Sequence, residues 1–596
     1  MLRPLPALLA LLVVALSLAG ASPGRAQTTN TNPSSNSNTI VVALGQEPDR
    51  LYNSGAAAAQ LVSNLVYDPL VGLDDHMQPY PDLAAQVPSA DNGLIQVTGS
   101  GPNRRLEVTM PLRQGVAWSD GVPFTADDVV YMWLLMMNPD SGFDTAVEDK
   151  MDTVEKVDDY TVKFVYLSAA QAKALDPDTY RDQGDAPVMD PLAAFGLYDA
   201  PFIYPSHLLR QVVGDDPRHS RTAGRVAASS LATAPVGTGP FTLAAWDAGS
   251  ALTFASRGAD LPNRQGRPFF DTVVFRIIGD KSVGLSQLAA GEVQLVTHDA
   301  LDASDAPALD SLPGVQARYT SGNAWEQLTF NLDNPILGDA AVRQAFAAAL
   351  DRDALNGMAL AGKGVVPLTQ IPAWSWAFDG AVPVLQPDRA RAERLLDGAG
   401  WTRAPDGVRQ KKGKRLSLTA ITPGGSFRDA LLTGVRDQLA QVGVELKVDA
   451  ASSSAMFDAS PTSPQTLVAR QFDLAEFAWV SGYDPGPDQA YTMHSRSVPT
   501  RDNAYRGGNY GDYKNPRSDQ LLDYVQGSLD QGGRRAAFGE LQTVWQADLP
   551  VLPLVLRPIT TAASSALLNL RPTPAPAGET WNVEQWRLAP PATPTP

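Results

Sequence analysis

One segment constrains the fold more than any other. Leu416 to Ile421 reads as a short strand, Phe427 to Val442 as a helix closed by Gly443, and Val444 to Val448 as a second strand. Consecutive strands joined through a helix are expected to pair in parallel, because parallel neighbours need such a crossover, and the crossover is right-handed. The chain therefore contains a parallel sheet segment, and its class is α/β.

Other stretches agree. Thr39 to Leu44 (TIVVAL) is a β-branched run expected as a buried strand. Leu106 to Leu112 and Thr161 to Tyr166 are strand-like, with Pro111 marking a strand end or an edge. Thr125 opens a helix with Asp128 at capping-box spacing, followed by the apolar body Val129 to Met137. Val342, Ala345, Phe346, Ala349 and Leu350 form one apolar helical face begun near Asp339. Ala392, Leu395, Leu396 and Ala399 form another, with Gly400 as its stop. The expected fold is α/β lobes with mixed sheets; 596 residues supply two to three large lobes.

Composition removes several classes of function. The net charge of −17 repels phosphates and argues against nucleic acid. With no cysteine, thiol catalysis, Cys–zinc sites, iron–sulfur clusters and disulfides are excluded. The N-terminus carries Arg3, an apolar run from Leu8 to Leu18, and small-residue cleavage sites after Ala21 or Ala26, the pattern of a secretory signal peptide over 1–26. Ala21 stands where a lipoprotein would carry its lipidated cysteine, so export without thioether lipidation is expected. Residues 27–38 form a polar leader and 589–596 a Pro/Thr tail.

No catalytic or metal motif stands out. The five histidines show no i, i+2 or i, i+4 pairing. G-x-S-x-G is absent. Gly237-Thr238-Gly239 lacks a following helix to hold phosphate and reads as a tight turn needing glycine's backbone freedom. Adjacent carboxylates such as Asp127-Asp128 and Asp215-Asp216 sit at turns or helix starts, where they cap backbone N–H groups. No enzyme activity, metal or cofactor is expected. The tryptophans carry more information: Trp374 and Trp376, in IPAWSWAFDG, are either ligand platforms or core packing.

An ordered set of segments gives the chain a resemblance. LRQGVAWSDGVPFTADD (112–128), PVGTGPF (235–241), LTFNLDNPILGDAAVRQAFAAALDRDAL, RAERLLDGAGW and YGDYKNPRSDQLL resemble, in order, segments of the extracytoplasmic solute-binding proteins of family 5, the peptide- and nickel-binding class that feeds ABC importers. The resemblance implies a bilobal periplasmic-binding-protein fold with a hinge and an extra subdomain inserted in lobe I. Lobe I would combine 39–65, 231–320 and 551–588, the inserted subdomain would cover 66–230, and lobe II 321–550. It also implies an oligopeptide ligand held between the lobes by hinge closure, ABC permease subunits as partners, and a monomer on the outer side of the cytoplasmic membrane. An oligosaccharide ligand is the alternative, with a secreted enzyme or sensor behind it.

Peptide binders of this kind set an Asp after a W-x-x segment to pair with the peptide amine. Here the segment is FAWVSGYDPGPD, and Gly482 stands in that place, with Asp484 two residues on as the substitute. A buried ammonium without a carboxylate costs several kcal/mol, so an acid is required nearby. Trp479 and Tyr483 flank Asp484 and are expected to line the pocket. Asn331 either bonds a ligand main chain or closes a strand-end turn. Arg496 and Arg501 either meet a carboxylate or remain surface charges.

Overall fold

The computed structural model describes residues 38–175, 187–198, 202–259, 261–264, 267–463 and 465–590. The signal peptide expected over 1–26, most of the leader and residues 591–596 of the tail lie outside them. Ten strands form one mixed sheet. In chain order they are β1 (Thr39–Leu44), then β6 (Phe241–Asp247), β7 (Ala251–Ser256), β8 (Thr272–Ile277), β9 (Leu295–Val296), β10 (Val315–Phe330), β11 (Ser417–Thr422), β12 (Glu445–Ala450), β13 (Leu474–Val480) and β14 (Val551–Ser564). The numbers β2 to β5 belong to a separate four-stranded antiparallel sheet: Ile95–Thr98, Arg105–Pro111, Met151–Asp158 and Thr161–Tyr166. The large sheet runs β12-β11-β13-β10-β14-β9-β1-β8-β7-β6.

The strand–helix–strand unit forms as its pattern predicts: β11 and β12 pair in parallel, from Ser417 opposite Glu445 to Thr422 opposite Ala450. The helix between them spans Ser426–Gln441, and Gly443 adopts φ 83° to turn the chain back. β1 likewise pairs in parallel with β8 and β9. Antiparallel pairing of β10 with β13 and β14 makes the sheet mixed.

Two long strands, β10 and β14, run through the middle and tie the two ends of the sheet together. Their register breaks between Ser321, opposite Pro558, and Trp325, opposite Leu556. Gly322, Asn323 and Ala324 therefore face the single residue Arg557, a bulge that bends and twists the pair. On one side of this crossing a core gathers β1, β7, β8 and the four-stranded sheet. On the other, β10 alternates: Leu328 and Phe330 enter one core with Leu418 and Leu474, and Trp325 enters a second with Leu541 and Trp545.

The segments 112–128 and 235–241 lock onto each other. The Ser119 N–H donates to the Gly237 carbonyl (2.9 Å), and the Gly239 N–H donates to the Val66 carbonyl (2.7 Å). The Arg257 guanidinium donates to the carbonyls of Ala117, Gly237 and Gly239. A Cβ on Gly237 would lie 1.8 Å from the Val66 oxygen. Close backbone approach, and not the left-handed φ expected of a tight turn, is what demands glycine there: neither Gly237 nor Gly239 has a positive φ. At the helix Ala126–Met136, Asp128 accepts the Thr125 N–H (3.0 Å), as the capping box predicts, and also the Ser206 N–H and hydroxyl. Among the described residues no helix is long and apolar enough to cross a membrane.

Candidate ligand cleft

β13 ends at Val480, and Asp484 starts the helix Pro485–Met493 by accepting the Gly486 N–H (2.8 Å). Strand and helix wall a cavity of about 610 Å³. Trp325, Trp479, Val480, Asp488, Gln489 and Tyr491 line one side. Val147 and Lys150, just before the sheet strand Met151–Asp158, and Leu192, between the four-stranded sheet and β6, line the other. β13 reaches the cavity at its carboxyl end, through Ala478, Trp479 and Val480, and antiparallel β10 reaches it through Trp325, directly after the bulge. Tyr483 packs edge-on against Phe195 at 5.1 Å, joining the loop after β13 to the segment that carries Leu192.

The expected site residues separate into two groups. Trp479 lines the cavity, stacked on Tyr510 (6.1 Å, 9° between planes) and edge-on to Tyr491 (6.0 Å). Gly482 and Tyr483 sit at its edge: the Gly482 N–H donates to Asp488 Oδ2 at 2.8 Å. Burial pushes the Tyr483 phenol above its ordinary pKa, and the Asp484 charge adds to this. Asp484 is buried and already paired, accepting from Arg534 Nη2 at 2.6 Å. The same guanidinium lies 4.8 Å over the Trp376 ring.

The remaining candidates serve elsewhere. Trp376 packs edge-on against Phe538, and Trp374 Nε1 donates to the Gly322 carbonyl at the strand bulge (3.0 Å). Asn331 Nδ2 donates to the carbonyls of Arg470 and Phe472, and its Oδ1 accepts the Asp333 N–H, a strand-end turn. Arg496 is exposed and pairs with Asp523 at 2.8 Å; Arg501 is exposed. His207 binds Asp120 at 2.7 Å, and His298 is held by buried Glu579 at 2.6 Å.

Asp488 is the group that reading the sequence missed. It lies six residues beyond Gly482, and only the turn into the helix brings it back beside that glycine. Burial pushes its carboxyl up to about 6; the Gly482 N–H works against this, and the nearby Asp484 charge adds to it. Lys150 lines the same cavity but is paired with buried Asp190 at 3.1 Å. Burial holds the Asp190 carboxyl above its usual range despite that lysine. Gln489 Oε1, also against the cavity, is buried without a hydrogen-bond partner. A walled cavity with aromatic sides and a few convergent acceptors binds and orients a solute; among the lining residues there is no nucleophile–base pair set for catalysis.

A sheet continued across two crossing strands, with a cavity closed between its parts, defines a bilobal solute-binding protein. The chain belongs to the bacterial extracellular solute-binding proteins, family 5, whose middle region matches residues 79–499. It is the extracytoplasmic binding component of an ABC importer. The oligopeptide-binding protein AppA of Bacillus subtilis is 25% identical over 588 residues, covering 98% of this chain and 97% of that protein. The structure of AppA in complex with a nonapeptide superposes with a TM-score of 0.61 at 24% identity, covering 93% of this chain and 99% of that one. HbpA2 from Haemophilus parasuis gives a TM-score of 0.72 at 19% identity, covering 93% and 100%.

Proposed function

We propose that this chain captures short peptides between two lobes and delivers them, by hinge closure, to the permease of an ABC importer. The cavity beside Trp479 carries this reading: its volume of about 610 Å³ and its aromatic walls suit several amino-acid residues, and it is closed by groups from two separate parts of the chain. The family relationship to an oligopeptide-binding protein supports the ligand class. Lobe I comprises 39–65, 231–320 and 551–588, the inserted subdomain 66–230, and lobe II 321–550, so the cavity lies where the insert meets lobe II. The strand bulge at Gly322–Ala324 is the hinge. A signal peptide over 1–26 exports the protein, which acts as a soluble monomer without cysteine-linked lipid and without catalytic activity.

Native mass spectrometry of the mature protein, purified from a host grown in rich medium, tests the reading. Co-purified masses that fragment as short peptides are expected. A hexose ladder, or a cleft that peptide mixtures fail to fill, overturns it.

A further inference from the structure

A second cavity, of about 350 Å³, shares no lining residue with the one beside Trp479. The helix Ala57–Ser63, the hairpin of Val71–Leu73 with Pro79–Pro81, and the stretch 575–577 surround it. Its walls are aromatic. The rings of Tyr80 and Trp581 lie with centroids 5.8 Å apart, and so do those of Tyr67 and Phe202. Tyr67 is 2% exposed, and its hydroxyl has no hydrogen-bond partner among the described residues.

The charges that line this cavity are three acids and one base: Asp68, Asp82, Asp144 and Arg264. Asp68 and Asp82 are buried and share the one guanidinium, Arg264 donating to Asp68 from Nη1 at 3.1 Å and to Asp82 from Nη2 at 3.2 Å. Asn263 Nδ2 adds a bond to Asp82 at 2.8 Å. Burial pushes the Asp82 carboxyl up to about 7; the Arg264 charge works against this, and the Asp68 charge adds to it. One guanidinium therefore leaves two buried acids short of positive charge. Arg113 and Arg257 also come close to these acids, but they donate to backbone carbonyls and do not line the cavity. Asp144 is exposed, accepts the N–H groups of Thr145 and Ala146, and is paired with no cation among the described residues.

The geometry points to a second ligand site, separate from the peptide cleft, that takes a small organic cation of the alkylammonium class. The ring faces carry the negative side of their quadrupoles toward its apolar, weakly hydrated head, and the acids of floor and rim balance its charge. A hard metal ion would need several free oxygens around it, and those of Asp68 and Asp82 are already bonded. An anion would meet the acids. The Tyr67 hydroxyl is left for a polar group on the ligand's tail.

Titration calorimetry of the mature protein tests this with choline and its uncharged isostere, in which carbon replaces the nitrogen. Choline should bind at least about tenfold more tightly than the isostere, the worth of a desolvated cation over a ring. Trp581→Leu should weaken choline by about tenfold, and Asp144→Asn, a change at an exposed side chain that leaves the packing intact, by about two- to fivefold. Trp479→Leu, in the peptide cleft, should leave choline's affinity unchanged. Failure of choline to bind, or equal binding of the isostere, overturns the assignment. So does an affinity that neither Trp581→Leu nor Asp144→Asn lowers; a loss confined to Trp479→Leu would place the cation in the cleft instead.

Discussion

Two aspartates four residues apart in one loop and helix have opposite roles, and their neighbours decide which is which. Asp484 caps its helix and neutralises Arg534, both of them buried. Removing it would strand a guanidinium, so Asp484→Ala should cost about 3–5 kcal/mol of stability, read as a fall in the urea midpoint. A wild-type midpoint in that variant would show that the pair holds nothing. Asp488 behaves in the opposite sense. A carboxyl that ordinarily titrates near 3.8 here titrates near 6, so the folded state keeps a proton that the unfolded chain releases. Folding is unpenalised below about pH 4, loses stability as pH rises to 6, and is level above that, by on the order of 2–3 kcal/mol. Asp488→Asn should therefore raise the melting temperature of the ligand-free protein at pH 8 and leave it nearly unchanged at pH 4. A gain that is the same at both values would mean that the substitution acts through packing and not through charge. From the sequence, Asp484 is the nearer acid to Gly482, but its partner lies fifty residues downstream, and such a pairing leaves no local signal.

At the scale of elements, local pattern was enough for β1, β11, β12 and the helices Ala340–Ala349, Arg389–Gly398 and Ser426–Gln441, because one buried face imposes a period of two or 3.6 on contiguous residues. The crossing strands obey no such period. β10 reads VQARYTSGNAWEQLTF, with polar residues in its middle and Glu326 fully buried. That glutamate is offset by Arg428 (2.9 Å) and Arg557 (3.3 Å), from a helix and a strand distant in sequence. The bulge depends on one small residue: a Cβ on Gly322 would lie 2.4 Å from the Arg557 carbonyl oxygen. Gly322→Ala must push β10 from β14 and weaken the bond from Trp374 Nε1, so it should cost about 1–3 kcal/mol and alter the change in radius of gyration on ligand binding. Small-angle scattering and a denaturant midpoint that both match the wild type would show that the crossing tolerates a side chain and is not the bending point.

For the whole molecule, the question is what holds the cleft shut once it is filled. Phe195 and Tyr483 come from parts of the chain almost three hundred residues apart and meet edge-on at 5.1 Å beside the cavity. An aromatic pair of this geometry is worth about 0.5–1.5 kcal/mol beyond the area it buries, a modest sum suited to a clasp that must also release its solute. Phe195 belongs to a core, and replacing it alone would mix lost packing with lost closure. A double-mutant cycle of Phe195→Leu and Tyr483→Leu separates the two, because packing on each side cancels and only the contact across the cleft remains. Measured on peptide dissociation, each single change should speed release, and the double change should be slower than the product of the singles, by about two- to tenfold. If the effects multiply, the rings are neighbours without being a clasp, and closure must rest on the ligand bridging Asp488 to the residues around Lys150 and Leu192. In that case the protein's grip is supplied by its solute.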